Sequence, residues 1–182
     1  MENHFVQEGL AYRFTPFDTS KTGVTIDSEK MYDNLMNKFK FGGIDKPGIY
    51  IDENAMRMCH SHRRIFSQLV QQLMREGKKD KAKAALDYAE KMIPAYVPYD
   101  WQNGAVQMAE AYYQLGETAK ADEMMKALAD KAVEYLTWYL SLDDNRFMIS
   151  TREFEYHWAV LDAEVKAMKK YNSKLAEIYE PK

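Results

Sequence analysis

The chain has 182 residues, of which 46% are hydrophobic, and its formal net charge is −3. This length and composition predict a folded protein with a substantial core rather than a disordered chain. The slightly acidic balance argues against a general binder of nucleic acids or anionic membranes, and no apolar run approaches the roughly 20 residues that a bilayer crossing needs.

The first 26 residues differ from the rest of the chain. Leu10, Tyr12 and Phe14 alternate with small or polar residues, and this two-residue period predicts a strand. One short strand, or a hairpin of two, is marginally stable alone in water. The segment must therefore either lie on the helical part of the chain or pair with sequence outside it. We favour the second alternative, in which residues 1–26 are an extended remnant of a preceding domain.

Helical patterns begin at Asp27 or Ser28, either of which can cap a first helix. Asp52 can cap a long second helix over residues 53–76, whose apolar side chains recur in steps of three and four. A third helix, over residues 80–93, completes a hairpin around Gly77.

This hairpin has the spacing of a tetratricopeptide (TPR) unit. Two helices approach closely only where side chains are small, and proline ends the second helix. Counted from the turn glycine Gly77, the small, bulky, small and helix-ending positions of a TPR helix fall on Ala82, Leu86, Ala89 and Pro94.

A second hairpin is predicted over residues 103–142, after a first one at 53–94. When Gly116 is aligned with Gly77, Ala121 matches Ala82, while Leu128 replaces the second small residue. Two imperfect repeats of this kind indicate a helical-repeat architecture.

A final helix is predicted over residues 151–179. Ser150 and Glu153 form a capping box at its start, and Asn172 is the one polar entry in an apolar seam. The seam consists of Phe154, Trp158, Leu161, Val165, Met168, Leu175 and Tyr179. Such a helix covers the exposed end of a repeat array, and the alternative is a coiled-coil dimer seam. A monomer is favoured.

The predicted fold class is therefore all-α: TPR-like helical hairpin repeats forming a right-handed superhelix, with a C-terminal capping helix and a short extended N-terminal segment. The helical domain is expected to span residues 27–182.

Candidate metal and catalytic groups are weak. His60 and His62 point about 200° apart on a helix, so they cannot share a metal ion. We expect His62 to pack on the apolar stripe and His60 to face outward beside Arg63 and Arg64. Glu153 and His157 lie one turn apart but have no second pair. The single cysteine rules out an internal disulfide. No catalytic, cofactor or metal site is predicted.

Binding is suggested by the aromatic content, which includes 13 tyrosines and three tryptophans. Tyrosine offers a large contact area with a polar tip, which suits an interface. The predicted partner-binding residues are Tyr96, Tyr99, Trp101 and Tyr113. A basic run near Gly77 is interpreted as solvated surface, with contact to acidic lipid headgroups or a partner's acidic face as the minor alternative; it comprises Arg75, Lys78, Lys79, Lys81 and Lys83.

Three segments carry a resemblance to a known group of proteins. They are QEGLAYRFTPF (residues 7–17), MYDNLMNKFKFGGIDKPGIYIDE (residues 31–53) and REGKKDKA in the first hairpin. The chain resembles the C-terminal region of large bacterial multi-pass membrane proteins of unknown function. Their membrane part resembles polytopic glycosyltransferases that use lipid-linked sugars, akin to protein O-mannosyltransferases.

This resemblance implies a soluble TPR-like tail on the extracytoplasmic, periplasmic side of a membrane-bound glycosyltransferase-like protein. No catalytic residue of such a protein would lie in this chain. We therefore expect a non-catalytic interaction or scaffold domain whose groove holds a peptide, a protein or another domain of the parent chain. The alternatives are a stand-alone ligand-binding or enzymatic helical domain and a dimerising structural tail.

Overall fold

The computed structural model describes residues 2–21, 23–46, 48–93 and 96–180. This part of the chain is mainly helical and has one two-stranded antiparallel sheet, which confirms the all-α class. Pro94, predicted to end a helix, lies outside the described residues.

Two strands and eight helices follow one another in these ranges. They are β1 (Phe5–Gln7), β2 (Tyr12–Phe14), α1 (Ser28–Asp33), α2 (Glu53–Arg75), α3 (Lys79–Met92), α4 (Ala105–Gln114), α5 (Thr118–Leu140), α6 (Asp144–Ile149), α7 (Thr151–Lys170) and α8 (Ala176–Tyr179). Contacts divide the chain into two compact units, one ending at Pro98 and the other starting at Tyr99. This division falls within the predicted 27–182 domain, whose extent stays a prediction.

In the first unit, the N-terminal hairpin lies on the helices. Strands β1 and β2 pair with Val6 opposite Arg13, and Val6 and Gln7 are buried. The Gln7 side chain donates to Oε1 of Gln68 on α2 at 2.9 Å, and the Asn34 amide donates to the Glu8 carbonyl at 2.7 Å. The N-terminal segment thus lies on the helical part of the chain, which is the alternative that the sequence analysis did not favour.

Helix α1 is capped by the Asp27 side chain, which accepts from the Lys30 amide, and it continues as one π-helical turn, Asn34–Lys38. Its N-terminus is attached to the turn after α2. The Ser28 hydroxyl donates to Glu76 at 2.6 Å, and Lys78 lies 2.6 Å from the same carboxylate. Although burial raises the pKa of Glu76, hydrogen bonds from Lys78, Ser28 and Gln72 lower it to about 2.

These contacts explain part of the basic run. Lys78 pairs with both Glu29 and Glu76, and Lys81 pairs with Glu29 at 2.6 Å. Lys83 pairs with Asp87 on its own helix at 3.3 Å. Three of the five cations of the run therefore have acidic partners within the first unit.

Helices α2 and α3 form the predicted hairpin. Gly77 has a φ of 73°, and the bonds from the Gly77 amide to the Met74 carbonyl and from the Lys78 amide to the Leu73 carbonyl complete a Schellman motif. Three of the TPR positions that followed Gly77 in the sequence are fully buried at 0% exposure: Ala82, Leu86 and Ala89.

Gly77→Ala should lower the free energy of unfolding by about 1 kcal/mol, because an L side chain at this positive φ is strained. The added Cβ would meet no atom within 4 Å, so the backbone strain acts without a clash. Gly77→Asn should lose less, since asparagine tolerates the left-handed region better than alanine. Urea denaturation followed by circular dichroism measures all three proteins. If Gly77→Ala had the same free energy of unfolding as the wild type, a side chain at this φ would cause no strain.

The sequence predicted Arg63 on the outward face of α2 beside His60. The structure contradicts this prediction. Its side chain is fully buried and donates from Nη1 to the Pro98 carbonyl at 2.7 Å and from Nη2 to the Ile93 carbonyl at 3.1 Å. Ile93 is the C-cap of α3, so the guanidinium stabilises the negative end of that helix. His62, as expected, packs against aromatic rings: its ring centroid lies 5.4 Å from that of Phe41.

In the second unit, α4 and α5 repeat the hairpin geometry. Gly116 has a φ of 81°, and its amide and that of Glu117 bond to the carbonyls of Tyr113 and Tyr112, a second Schellman motif. The α5 positions that correspond to the small and bulky residues of α3 are buried: Ala121, Met125, Leu128 and Ala129.

The predicted end of the chain needs three corrections. The polar stretch after α5 contains a short helix, α6, capped by Asp143. The Ser150–Glu153 capping box is wrong, because the Ser150 side chain makes no capping bond to α7. The final helix stops at Lys170 because Asn172, with a φ of 57°, forms the left-handed cap, so residues 151–179 are two helices.

Candidate functional site

The predicted partner-binding residues lie in different surroundings. Tyr96 belongs to the first unit, where its side chain is 50% exposed and its hydroxyl donates to the Ile44 carbonyl. Tyr99, Trp101 and Tyr113 belong to the second unit. Tyr99 is buried there, and Trp101 is half-buried in a short helical turn, Trp101–Asn103.

Tyr113 packs inside the second unit. Its ring stacks on that of Tyr171 with centroids 4.9 Å apart, and its hydroxyl donates to Asp122 at 2.6 Å. Burial, together with the Asp122 hydrogen bond, raises the pKa of Tyr113 to about 12. Ser173, in the turn after α7, donates to the same carboxylate at 2.6 Å. Asp122 therefore connects α4, α5 and the α7–α8 turn.

Trp101 lines a cleft of about 220 Å³ in the second unit. Helices α5 and α7 pack against each other, and each contributes residues spaced three or four apart, which places them on one face of the helix. We call this space the α5–α7 cleft; it is lined by Asp100, Trp101, Gln102, Leu128, Lys131, Ala132, Tyr135, Tyr156, His157, Val160 and Glu164.

Glu164 is the unusual member of this lining. Its side chain is completely buried, and neither carboxyl oxygen has a hydrogen-bond partner. Burial raises the pKa of Glu164 to about 8, although the charge of Lys131 acts in the opposite direction. A buried polar group without a partner costs about 1–3 kcal/mol, so this carboxyl group is a strong candidate for contact with a ligand.

The other charged groups of the cleft are compensated. Lys131 Nζ donates to Asp100 Oδ2 at 3.1 Å and to the Tyr99 carbonyl at 3.4 Å. The ring of His157 stacks on that of Tyr135 with centroids 4.2 Å apart. Burial and the nearby charge of Lys131 lower the pKa of His157, so its ring is neutral at pH 7. When Glu164 is ionised, its negative charge is therefore the uncompensated one.

Aromatic side chains form the outer part of the cleft. Tyr135 is 40% and Tyr156 is 41% exposed, and the Gln102 side chain donates to the Tyr156 hydroxyl at 2.9 Å. This bond joins the turn that carries Trp101 to helix α7. The cleft thus has aromatic walls around a buried acid, a combination typical of ligand sites.

His157 and Glu164 line the cleft from well-separated positions on α7. His157 and Glu164 are seven residues apart on one helix, which separates their backbones by about 10 Å along its axis. Lys131 is held by Asp100.

The sequence pattern does not indicate Glu164 as a site residue, because the predicted seam of α7 is narrower than the face that this helix buries. The seam residue Trp158 is 46% exposed, whereas Val160 and Glu164, outside the seam, are buried. The buried face of α7 is thus wider than a strict heptad stripe. The available signal was the position of Glu164 between the two seam residues Leu161 and Val165.

Two further properties concern the part of the chain that the structure describes. Within it, no three side chains of the His, Cys, Asp and Glu types come together as a metal site would require. None of its helices combines the length and the apolar character that crossing a membrane demands.

Comparisons with known proteins give no independent assignment. No family, curated protein or solved structure matches this chain. The resemblance to the tail of membrane-bound glycosyltransferase-like proteins therefore stays a prediction, and the site must be interpreted from its own geometry.

Proposed function

We propose that this chain is a non-catalytic binding domain whose α5–α7 cleft receives a side chain of a peptide or protein partner. The observation that carries the proposal is the buried carboxyl group of Glu164, which lines an aromatic cleft and lacks a hydrogen-bond partner. A group of this kind is expensive to maintain in a purely structural role.

The repeated hairpin supports a scaffold built from TPR-like units. Both hairpins turn at a glycine with positive φ, and both bury the small residue five positions later, Ala82 or Ala121. TPR-like arrays hold extended surfaces for partner chains. In keeping with the resemblance in the sequence, we propose that the domain is the soluble, periplasmic tail of a membrane-bound glycosyltransferase-like protein.

The predicted contact residues enter this proposal in different ways. Trp101 offers its ring directly to the cleft, and Tyr99 supports Lys131 through its backbone carbonyl. Tyr113 acts from inside the second unit by positioning Asp122. Tyr96, in the first unit, would contribute a separate contact.

A set of capped tripeptides, acetyl-Gly-Xaa-Gly-amide with every natural residue at Xaa, tests the proposal. Binding is measured by NMR titration of the isotope-labelled chain. We expect a subset of the peptides to bind and to shift the amide signals of residues that line the cleft. Ala132→Leu, which fills the cleft from α5, should weaken this binding at least tenfold.

The matched control is Ala127→Leu, because Ala127 is an exposed residue of the same helix. It should bind like the wild type, and circular dichroism should show that both variants are folded. The proposal is overturned if no peptide of the set binds, or if binding survives unchanged in Ala132→Leu.

A further inference from the structure

We propose that the α5–α7 cleft selects an organic cation that carries N–H donors, a primary ammonium or a guanidinium group, which binds against Glu164. This inference rests on the proposed binding function and names the chemical class that the cleft takes. Nothing in the fold requires an acid at this position, since the neighbours of Glu164 on the buried face of α7 are apolar: Val160, Leu161, Val165 and Met168.

The hydrogen-bonding capacity of Glu164 defines the first requirement. An ionised carboxylate accepts bonds at both oxygens, and both oxygens of Glu164 are unpartnered and shielded from solvent. A ligand must therefore bring donors. Ammonium and guanidinium groups have several, and their bonds to carboxylates are stronger than bonds between neutral groups. A quaternary ammonium group has none and leaves the oxygens unsatisfied.

The charge balance gives the second requirement. The charge of Lys131 is already paired with that of Asp100, and partial burial and the charge of Lys131 lower the pKa of His157 and favour its neutral ring. The cleft therefore accepts one positive charge without excess, whereas an anion would meet Glu164 and find no free cation among the lining groups.

The aromatic walls are consistent with the same ligand class. Trp101, Tyr135 and Tyr156 line the cleft, and aromatic faces attract cations within about 6 Å of the ring centroid. Their apolar surfaces also cover the alkyl part of a lysine-like or arginine-like chain. A volume of about 220 Å³ limits the occupant to one small amine or one side chain.

Binding releases a proton when the pH lies below the pKa of Glu164. The group is protonated in the empty cleft and becomes a carboxylate against the cation, and the proton passes to solvent. The charged and titratable groups around it are Lys131 and Asp100, His157 on α7 and Tyr179 on α8, the last of which interacts electrostatically with Glu164. Affinity should therefore rise by up to tenfold per pH unit between about pH 6 and 7.5.

Isothermal titration calorimetry with size-matched probes tests the inference. Butylammonium and butylguanidinium should bind, whereas butyltrimethylammonium, butanol and butyrate should bind at least tenfold more weakly. Glu164→Gln should weaken the two N–H cations at least tenfold and should remove proton release, measured in two buffers of different ionisation enthalpy. The control Glu155→Gln changes an exposed acid of the same helix and should bind like the wild type.

The capped peptides with lysine or arginine at Xaa identify the source of the cation. If they bind as well as the free amines, the cleft takes a side chain of a partner; if only the free amines bind, it takes a small molecule. Binding of butanol or butyrate as tight as that of butylammonium, no binding of either cation, or unchanged cation binding in Glu164→Gln overturns the cation assignment. The proposed binding function fails separately, if no peptide of the complete set binds or if peptide binding survives unchanged in Ala132→Leu.

Discussion

Glu164→Gln should abolish most of the stability loss that the wild-type protein shows as the pH rises from 6.5 to 8.5. The pKa of Glu164 is about 8 in the folded chain, against an ordinary value of 4.5. Between these values the folded state holds a proton that the unfolded state has released. Stability therefore falls as the pH rises, by up to about 1.4 kcal/mol per pH unit, and levels off above the folded pKa.

His157 acts in the opposite direction and in a different range. Its pKa is lowered by burial from 6.5, so its contribution to stability is present above that value and is lost as the pH falls below it. Above pH 6.5 the contribution of His157 changes little, so the fall in stability there comes mainly from Glu164. Glutamine keeps the shape of the side chain and cannot ionise. The free energy of unfolding of Glu164→Gln should therefore be nearly independent of pH in this range.

Urea denaturation at about pH 6.5, 7.5 and 8.5 provides the measurement. Glu155→Gln, on an exposed face of α7, should keep the wild-type slope. Parallel pH profiles for wild type and Glu164→Gln would show that Glu164 is ionised, and therefore solvated or paired, in the folded chain.

Arg63→Met should reduce the free energy of unfolding by about 2–4 kcal/mol, because it removes the donors of two carbonyl groups. The guanidinium bonds to the carbonyls of Ile93 and Pro98 from a completely buried position. Methionine fills most of the space but donates nothing, so those carbonyls lose this partner. The free energy of unfolding of Arg63→Lys should lie between those of the wild type and Arg63→Met, since one ammonium cannot reproduce the fork geometry of a guanidinium.

The adjacent Arg64 provides the matched control, because it is exposed on the same helix. Arg64→Met should change the urea midpoint by no more than a typical surface substitution, about 0.5 kcal/mol. Equal midpoints for Arg63→Met and Arg64→Met would contradict the assignment of Arg63 as the cation that stabilises the end of α3.

Local patterns in the sequence were sufficient for most of the helices. The bounds of α2 and α3 lie within one residue of those predicted, because Asp52 and Gly77 act on their immediate neighbours. Helix ends with weaker sequence signals were predicted less accurately. The sequence pattern predicts Asn172 within a continuous seam, but asparagine also adopts the left-handed conformation, and here it ends α7.

The burial of Arg63 and Glu164 could be recognised only in the folded structure. Arg63 and Glu164 lie on helices that the sequence predicted, yet whether a charged residue beside an apolar stripe faces solvent or core depends on the width of the contact between helices. That width is set by helices and turns far away in sequence, α5 against α7 and the segment after α3 against α2. Periodicity thus predicted where the helices lie, whereas the partners that surround Glu164 and Arg63 follow from packing between distant residues.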